Sequence, residues 1–170
     1  MIESADLTKY NKIFYTWKDS CPEQTSYLID QVLQKICPVF QENGFCFSAK
    51  LLNNVRIGQN ELLMERVVYK YIEYIYIVFD KYKSPKFQIL SSKRSNNKEM
   101  RFLRSGNLVN SKIQYVHFWG KPYIIPMIFW RNSDSDKIID KIIKISPQIL
   151  EFLDSGVRGK NIGKEVGVNI

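Results

Sequence analysis

The sequence predicts an α+β fold: an antiparallel sheet of four to six strands with an N-terminal amphipathic helix and C-terminal helices packed on it. Three observations predict this class. Apolar residues at helical spacing come first, segments rich in β-branched and aromatic residues follow, and helical spacing returns near the end. The chain has 170 residues, of which 45% are hydrophobic and 14% aromatic, enough for one well-filled core.

The first long element is predicted to be an amphipathic helix over residues 22–43. Ser20-Cys-Pro-Glu23 has the pattern of a capping box, Pro38 is expected to kink or end the last turns, and Gly44 is a natural stop. Residues 1–21 are expected to form an aromatic arm or a shorter helix. The apolar residues of the long helix share one side: Leu28, Ile29, Val32, Leu33, Ile36, Cys37 and Phe40.

The middle of the chain is predicted to form the sheet. Both faces of segment 72–82 are apolar, which predicts a central strand with the long helix on one side. Segment 124–130 is predicted to be a further strand or a buried bridge. The polar, basic residues 91–107 are predicted to be a long exposed loop. The remaining predicted strands are 45–52, 61–70, 86–92 and 112–119.

The C-terminal part is predicted to be helical over 135–155, with a restart at Pro147, and to end in a loose Gly-rich tail over 157–170. The domain would therefore span residues 1–156. The N-terminus lacks a basic segment followed by an apolar one, and three cysteines cannot all pair within one chain. We therefore expect free thiols, a cytoplasmic location and no membrane association.

The positive charge is concentrated in one part of the chain. The net charge is +8, and residues 81–104 hold eight basic residues against Glu99 alone. Such a patch indicates an acidic protein partner or a nucleic acid. For a nucleic-acid partner, we expect Tyr82 and Phe102 to stack on bases. The predicted partner-binding residues are Lys93, Arg94, Lys98, Arg101 and Arg104.

Enzymatic chemistry has little support in the residue pattern. A metal-dependent nuclease could use Glu61, Glu65 or Asp80, but no acidic residue of the chain has a lysine two positions later. The single histidine, His117, lies in a predicted strand, where a structural role is the usual one. We therefore expect no catalytic residue, no metal and no cofactor, with a divergent metal-dependent nuclease as the third alternative.

Five short motifs lie between residues 44 and 87: Gly44-Phe45, Asn60-Glu61-Leu62, Glu65-Arg66, Phe79-Asp80-Lys81 and Pro85-Lys86-Phe87. They resemble motifs of small uncharacterised bacterial α+β proteins, some of which are similar to immunity proteins of toxin systems. The resemblance spans roughly residues 28–90 and implies a non-catalytic binding role, with no functional residues to carry over. The positive charge departs from it, because an inhibitor of a basic nuclease toxin would more naturally be acidic.

The preferred function is therefore non-enzymatic recognition of a macromolecular partner, inhibitor- or immunity-like. The alternative is nucleic-acid binding through the basic 81–104 hairpin and loop. These two functions differ in the chemistry of the partner and in how steeply binding should fall with salt.

Overall fold

A computed structural model describes residues 4–48, 58–96, 102–110, 118–122 and 124–163. Within these ranges the chain has an α+β fold in which helices pack on an antiparallel sheet, so the predicted fold class is confirmed. The helices are α1 (Ser4–Asp19), α2 (Glu23–Gln31), α3 (Cys37–Gln41), α4 (Asn132–Ile145) and α5 (Pro147–Ser155). The same ranges contain no helix that is long and apolar enough to cross a membrane.

The described strands are β1 (Cys46–Phe47), β2 (Glu61–Val68), β3 (Tyr71–Phe79), β4 (Lys86–Ser95), β5 (Phe102–Leu108), β6 (Trp119–Gly120) and β7 (Ile162–Gly163). They form one sheet in the order β1-β2-β3-β4-β5-β7, with β6 also paired to β4. Every pairing is antiparallel. β3 lies between β2 and β4, as predicted for the central strand.

The predicted helix over 22–43 is present, but its start differs from the prediction. Pro22 is the N-cap residue, and the Ser20 hydroxyl donates to the Trp17 carbonyl instead of accepting from an N–H in the first turn of α2. A π-helical turn, Val32–Ile36, joins α2 to α3, whose second residue is Pro38. Proline has no N–H for the helical ladder, and an irregular turn next to it is a common solution.

The main core lies between the helices and one face of the sheet. Ile75, Ile77 and Phe79 of β3 point into it, as their alternation predicts. The aromatic N-terminal segment is a helix, α1, and buries Phe14 and Trp17 there. The helices contribute further buried residues to the same core: Leu28, Ile29, Val32, Ile36, Phe40, Ile139, Ile142, Ile149, Phe152 and Leu153.

The prediction of a long exposed loop over 91–107 is wrong. β4 continues to Ser95, and β5 begins at Phe102. Polar residues can lie in a central strand when cross-strand neighbours supply their hydrogen-bond or ion-pair partners. Lys93 lies opposite Glu73 in the pairing of β3 and β4. The sequence pattern did not show this partner, because Glu73 belongs to a different strand.

Segment 124–130 is neither a strand nor a buried bridge. It contains a short 3₁₀ turn, Met127–Phe129, and several of its side chains are exposed. Pro122 and Pro126 supply no N–H groups, which disfavours a place within a sheet.

The predicted loose tail also differs, because its first part packs on the domain. Ile162–Gly163 pairs with β5, and Asn161 is buried. Residues 164–170 lie outside the described residues. So do most of the predicted strand 112–119, with His117, and the last residues of the predicted strand 45–52.

Candidate interaction surface

The five predicted partner-binding cations do not form one exposed patch in the described structure. Lys93 and Arg94 lie in β4, and only 7% and 1% of their areas are exposed. Arg104 lies in β5 and is half-buried. Lys98 and Arg101 lie outside the described residues. The burial of Lys93 and Arg94 corrects the prediction that they offer a surface to a partner.

Lys93 instead belongs to a buried ion network on the helix-facing side of the sheet. Its Nζ lies 2.6 Å from Oε1 of Glu73, whose side chain is fully buried. Arg66 Nε lies 2.6 Å from the other oxygen, Oε2. A buried carboxylate is tolerated only when cations or donors surround it. The two cations therefore compensate the charge of Glu73.

The same network attaches the end of α5 to the sheet. Lys93 Nζ donates to the Leu153 carbonyl at 2.9 Å, and Arg104 donates to the Phe152 and Leu153 carbonyls at 3.2 and 2.9 Å. Arg66 also reaches the Asp154 carboxylate at 2.6 Å. Cations are favourable at a helix C-terminus, where the last carbonyls lack partners within the helix.

Arg94 lies on the opposite face of the sheet, near Tyr74 and Glu65. Its guanidinium is 5.8 Å from the centre of the Tyr74 ring, and Tyr74 is paired with Glu65 across β2 and β3. Burial raises the pKa of Tyr74, the Glu65 carboxylate raises it further, and Arg94 opposes the rise. All three residues are buried, so this polar cluster belongs to the interior.

The turn between β3 and β4 is an exposed part of the predicted basic hairpin. Tyr82 is 78% exposed, and Lys81 Nζ lies 4.9 Å from the centre of its ring. The acidic residue of this turn, Asp80, is buried and lies 3.8 Å from Lys86. The turn therefore presents cations and an aromatic ring while its carboxylate faces inward. The side chain of Phe102, the other predicted stacking residue, lies outside the described part of the chain.

The connection from β6 to α4 lies beside this turn. Gly120 pairs with Lys86, and the Lys121 N–H donates to the Pro85 carbonyl at 2.9 Å. The Lys121 ammonium donates to the carbonyls of Pro122 and Ile125, which holds the start of the connection. We call the β3–β4 turn (80–85) and the described residues of this connection (121–122 and 124–131) the sheet end.

Three large apolar side chains project from the connection into solvent. Ile124 is 90% exposed, Ile128 82% and Phe129 65%. We call these three residues the apolar tip. Sequence reasoning missed it because an apolar segment usually indicates burial. The two nearby prolines were the available signal that it is not a strand.

The acidic residues considered for metal chemistry are used within the fold. The Glu61 carboxylate accepts from the Gly58 N–H at 2.9 Å, and Asp80 accepts from the Ser84 N–H at 3.2 Å. Within the described ranges no group of three or more His, Cys, Asp or Glu residues is placed to hold a metal ion.

Comparison with known proteins identifies no relative of this chain. The chain matches no protein-family model, no curated protein and no solved structure.

Proposed function

We propose that this protein is a non-enzymatic recognition protein, inhibitor- or immunity-like, that binds an acidic protein partner through the sheet end. The observation that carries the proposal is the exposure of the apolar tip, with Ile124 at 90% and Ile128 at 82%. A group of large apolar side chains held in solvent is typical of a surface that another protein covers. Aliphatic side chains gain little from a phosphate backbone, so a protein fits better than a nucleic acid.

The charges around the apolar tip define the chemistry of the partner. Lys81 and Arg131 are exposed, Lys83 is half-buried, and all lie at the sheet end. Asp134 is the acidic residue nearest to the apolar tip along the chain. It accepts from the Arg131 N–H and lies 3.8 Å from Lys137. A partner with an apolar pocket bordered by carboxylates would complement this surface and associate faster at low salt.

Photocrosslinking from the apolar tip tests this proposal. Benzoylphenylalanine replaces Phe129, the crosslinked protein is identified in a lysate of the source cells, and that protein is then purified. Ile128→Asp should raise the Kd for the purified partner at least about 100-fold, because a carboxylate would enter an apolar pocket.

Tyr69→Asp is the matched control for this measurement. Tyr69 is 91% exposed and lies between β2 and β3, at the end of β3 far from the apolar tip. We expect it to bind as the wild type does. Equal binding by the Ile128→Asp and Tyr69→Asp variants would contradict the proposal, and so would a preference of the tip for anionic lipid vesicles over any protein.

One observation keeps nucleic-acid binding as the second candidate. The exposed Tyr82 ring beside Lys81 is a combination that single-stranded nucleic acids can use for stacking and phosphate contact. Fluorescence anisotropy with labelled single- and double-stranded DNA and RNA, from about 50 to 200 mM salt, tests it. The alternative requires Tyr82→Ala to weaken binding to single strands by about 5-fold or more. Our proposal expects no binding that depends on Tyr82.

A further inference from the structure

A groove with a volume of about 440 Å³ lies between α1 and the β3–β4 turn. Its lining includes Lys12 and Ile13 of α1 and Lys83 of the turn, and no acidic residue belongs to the described lining. The groove thus combines two cations with apolar surface. Its volume is in the range of sites that bind short ligands or a few side chains.

The apolar part of the groove is supported by the core beneath it. Trp17 is buried, and its ring centre lies 6.2 Å from that of Phe79 in β3. Ile13 is 46% exposed, so part of its side chain is available to a ligand. An apolar side chain placed here would cover Ile13 without moving the packed indole.

Lys83 is held in an unusual backbone conformation at the edge of the groove. Its φ is 60°, in the left-handed region that glycine adopts most easily. Its N–H donates to the Asp80 carbonyl at 2.8 Å, and its own carbonyl accepts from the Thr25 hydroxyl at 2.7 Å.

The lysine side chain is fixed as well. The ammonium of Lys83 donates to the Ser20 carbonyl at 3.2 Å, which places a positive charge beside the groove. A left-handed non-glycine residue costs about 1 kcal/mol. Tyr69 in the β2–β3 turn has the same φ of 60°, so this conformation is shared by the two hairpin turns, and the inference rests on the lining of the groove. Glycine would relieve this strain but would remove the charge.

We infer that this groove binds an acidic segment of the partner, with carboxylates on Lys12 and Lys83 and an apolar side chain over Ile13. The inference rests on the proposed function and extends it by naming the chemistry of the bound segment. Charge complementarity carries it, because both lysines border an apolar surface without a competing carboxylate in the described lining. Phosphate backbones would use the lysines but would leave Ile13 uncovered.

Amide NMR titration with two short peptides tests the inference. The probe contains four Glu-Leu-Asp repeats, and the control contains four Gln-Leu-Asn repeats. The acidic peptide should shift the amide signals of Ile13, Thr16 and Lys83, and the neutral peptide should not. No shift in this region, or equal shifts with both peptides, would overturn the inference.

Lys83→Gly separates the role of the charge from the stability of the turn. We expect this variant to unfold at the same temperature or a higher one, and to bind the acidic peptide at least about 5-fold more weakly. Lys12→Gln, on the exposed face of α1, should weaken binding in the same direction. Lys70→Gln, an exposed lysine at the far end of β3, should leave it unchanged. If Lys70→Gln weakens binding of the acidic peptide equally, the effect is a general electrostatic attraction between protein and peptide, and the inference is overturned.

The crosslinked partner distinguishes failure of this inference from failure of the proposed function. If Ile128→Asp abolishes partner binding while Lys83→Gly does not change it, the groove is not part of the interface and the proposed function stands. If Lys83→Gly weakens peptide binding but Ile128→Asp leaves the crosslinked partner bound, the groove stands and the apolar tip does not.

Discussion

The β3–β4 hairpin carries cations at both of its ends, and the two ends differ in what surrounds them. At the turn, Lys81 and Tyr82 are exposed. At the open end, Lys93 and Arg94 are buried. A cluster of positive charge in the sequence therefore contains two kinds of residue. Whether each cation is exposed or buried depends on the elements that pack against its end of the hairpin. The charge cluster in the sequence does not show those elements.

Lys93 at the open end is buried because it meets opposite charge. The Glu73 carboxylate and the C-terminal carbonyls of α5 both require cations, and Lys93 satisfies both at 2.6 and 2.9 Å. At the turn, the ring beneath Lys81 belongs to its exposed neighbour Tyr82. Buried cations thus stabilise the fold, whereas the exposed ones remain available to a partner.

The largest effect expected from this difference is the loss of stability on replacing Lys93. Lys93→Met should lower the free energy of unfolding by about 3 kcal/mol, because it removes one partner of a fully buried carboxylate. The measurement is urea unfolding followed by circular dichroism. Lys81→Met, the matched change at the exposed turn, should alter it by less than about 0.5 kcal/mol. Similar losses in the two variants would show that the ends of the hairpin do not differ.

Unfolding at alkaline pH tests a different contribution to stability, that of the buried Cys37 thiol in the helix layer. Burial raises the pKa of the Cys37 thiol to about 12. The unfolded thiol ionises near pH 8.5, so the unfolded state loses its proton first and stability falls as the pH rises above that value. Between pH 9 and 11 this group should account for about 2 kcal/mol of lost stability.

Cys37→Ala should therefore reduce the loss of stability between pH 9 and 11, measured by urea unfolding at each pH. Cys46→Ala is the control, because Cys46 is exposed. An identical alkaline loss in both variants would contradict the assignment to Cys37. Only the change with pH is compared, since the cavity left by the alanine affects stability at every pH.

Arg104 tests the contact between β5 and α5. Arg104→Met should lower the free energy of unfolding by about 1.5 kcal/mol, because the charged donor to the Phe152 and Leu153 carbonyls is lost. Hydrogen exchange should accelerate in the last turn of α5 more than in α4. A uniform acceleration across both helices would show that Arg104 does not act locally at that turn.

The sequence pattern predicts the elements whose burial follows a simple period. The alternation of Ile75, Ile77 and Phe79 with Tyr74 and Tyr76 identifies the central strand, because a buried strand has apolar residues on both faces. The helices around it follow from the 3.6-residue spacing of their apolar residues in the same way.

The pattern fails where contacts distant in the sequence determine burial. The polar end of β4 resembles a loop because its compensating partners, Glu73 and the C-terminus of α5, lie in other elements. The apolar tip resembles a buried strand because hydrophobicity alone cannot show that the segment lies outside the core. The first error placed Lys93 and Arg94 on the candidate surface although they are buried, and the second concealed the exposed apolar tip that belongs to it.

The smallest expected effect on stability comes from the apolar tip, and it completes the comparison of buried and exposed regions. Ile128→Ser should change the free energy of unfolding by less than about 0.5 kcal/mol, because the isoleucine is already 82% exposed in the folded state. Ile139→Ala is the buried counterpart in α4 and should cost about 2 to 5 kcal/mol. Both values come from urea unfolding. A loss above 1 kcal/mol for Ile128→Ser would mean that the tip packs on the domain in solution. The apolar tip would then contribute to the core, and its exposure would no longer support a partner surface.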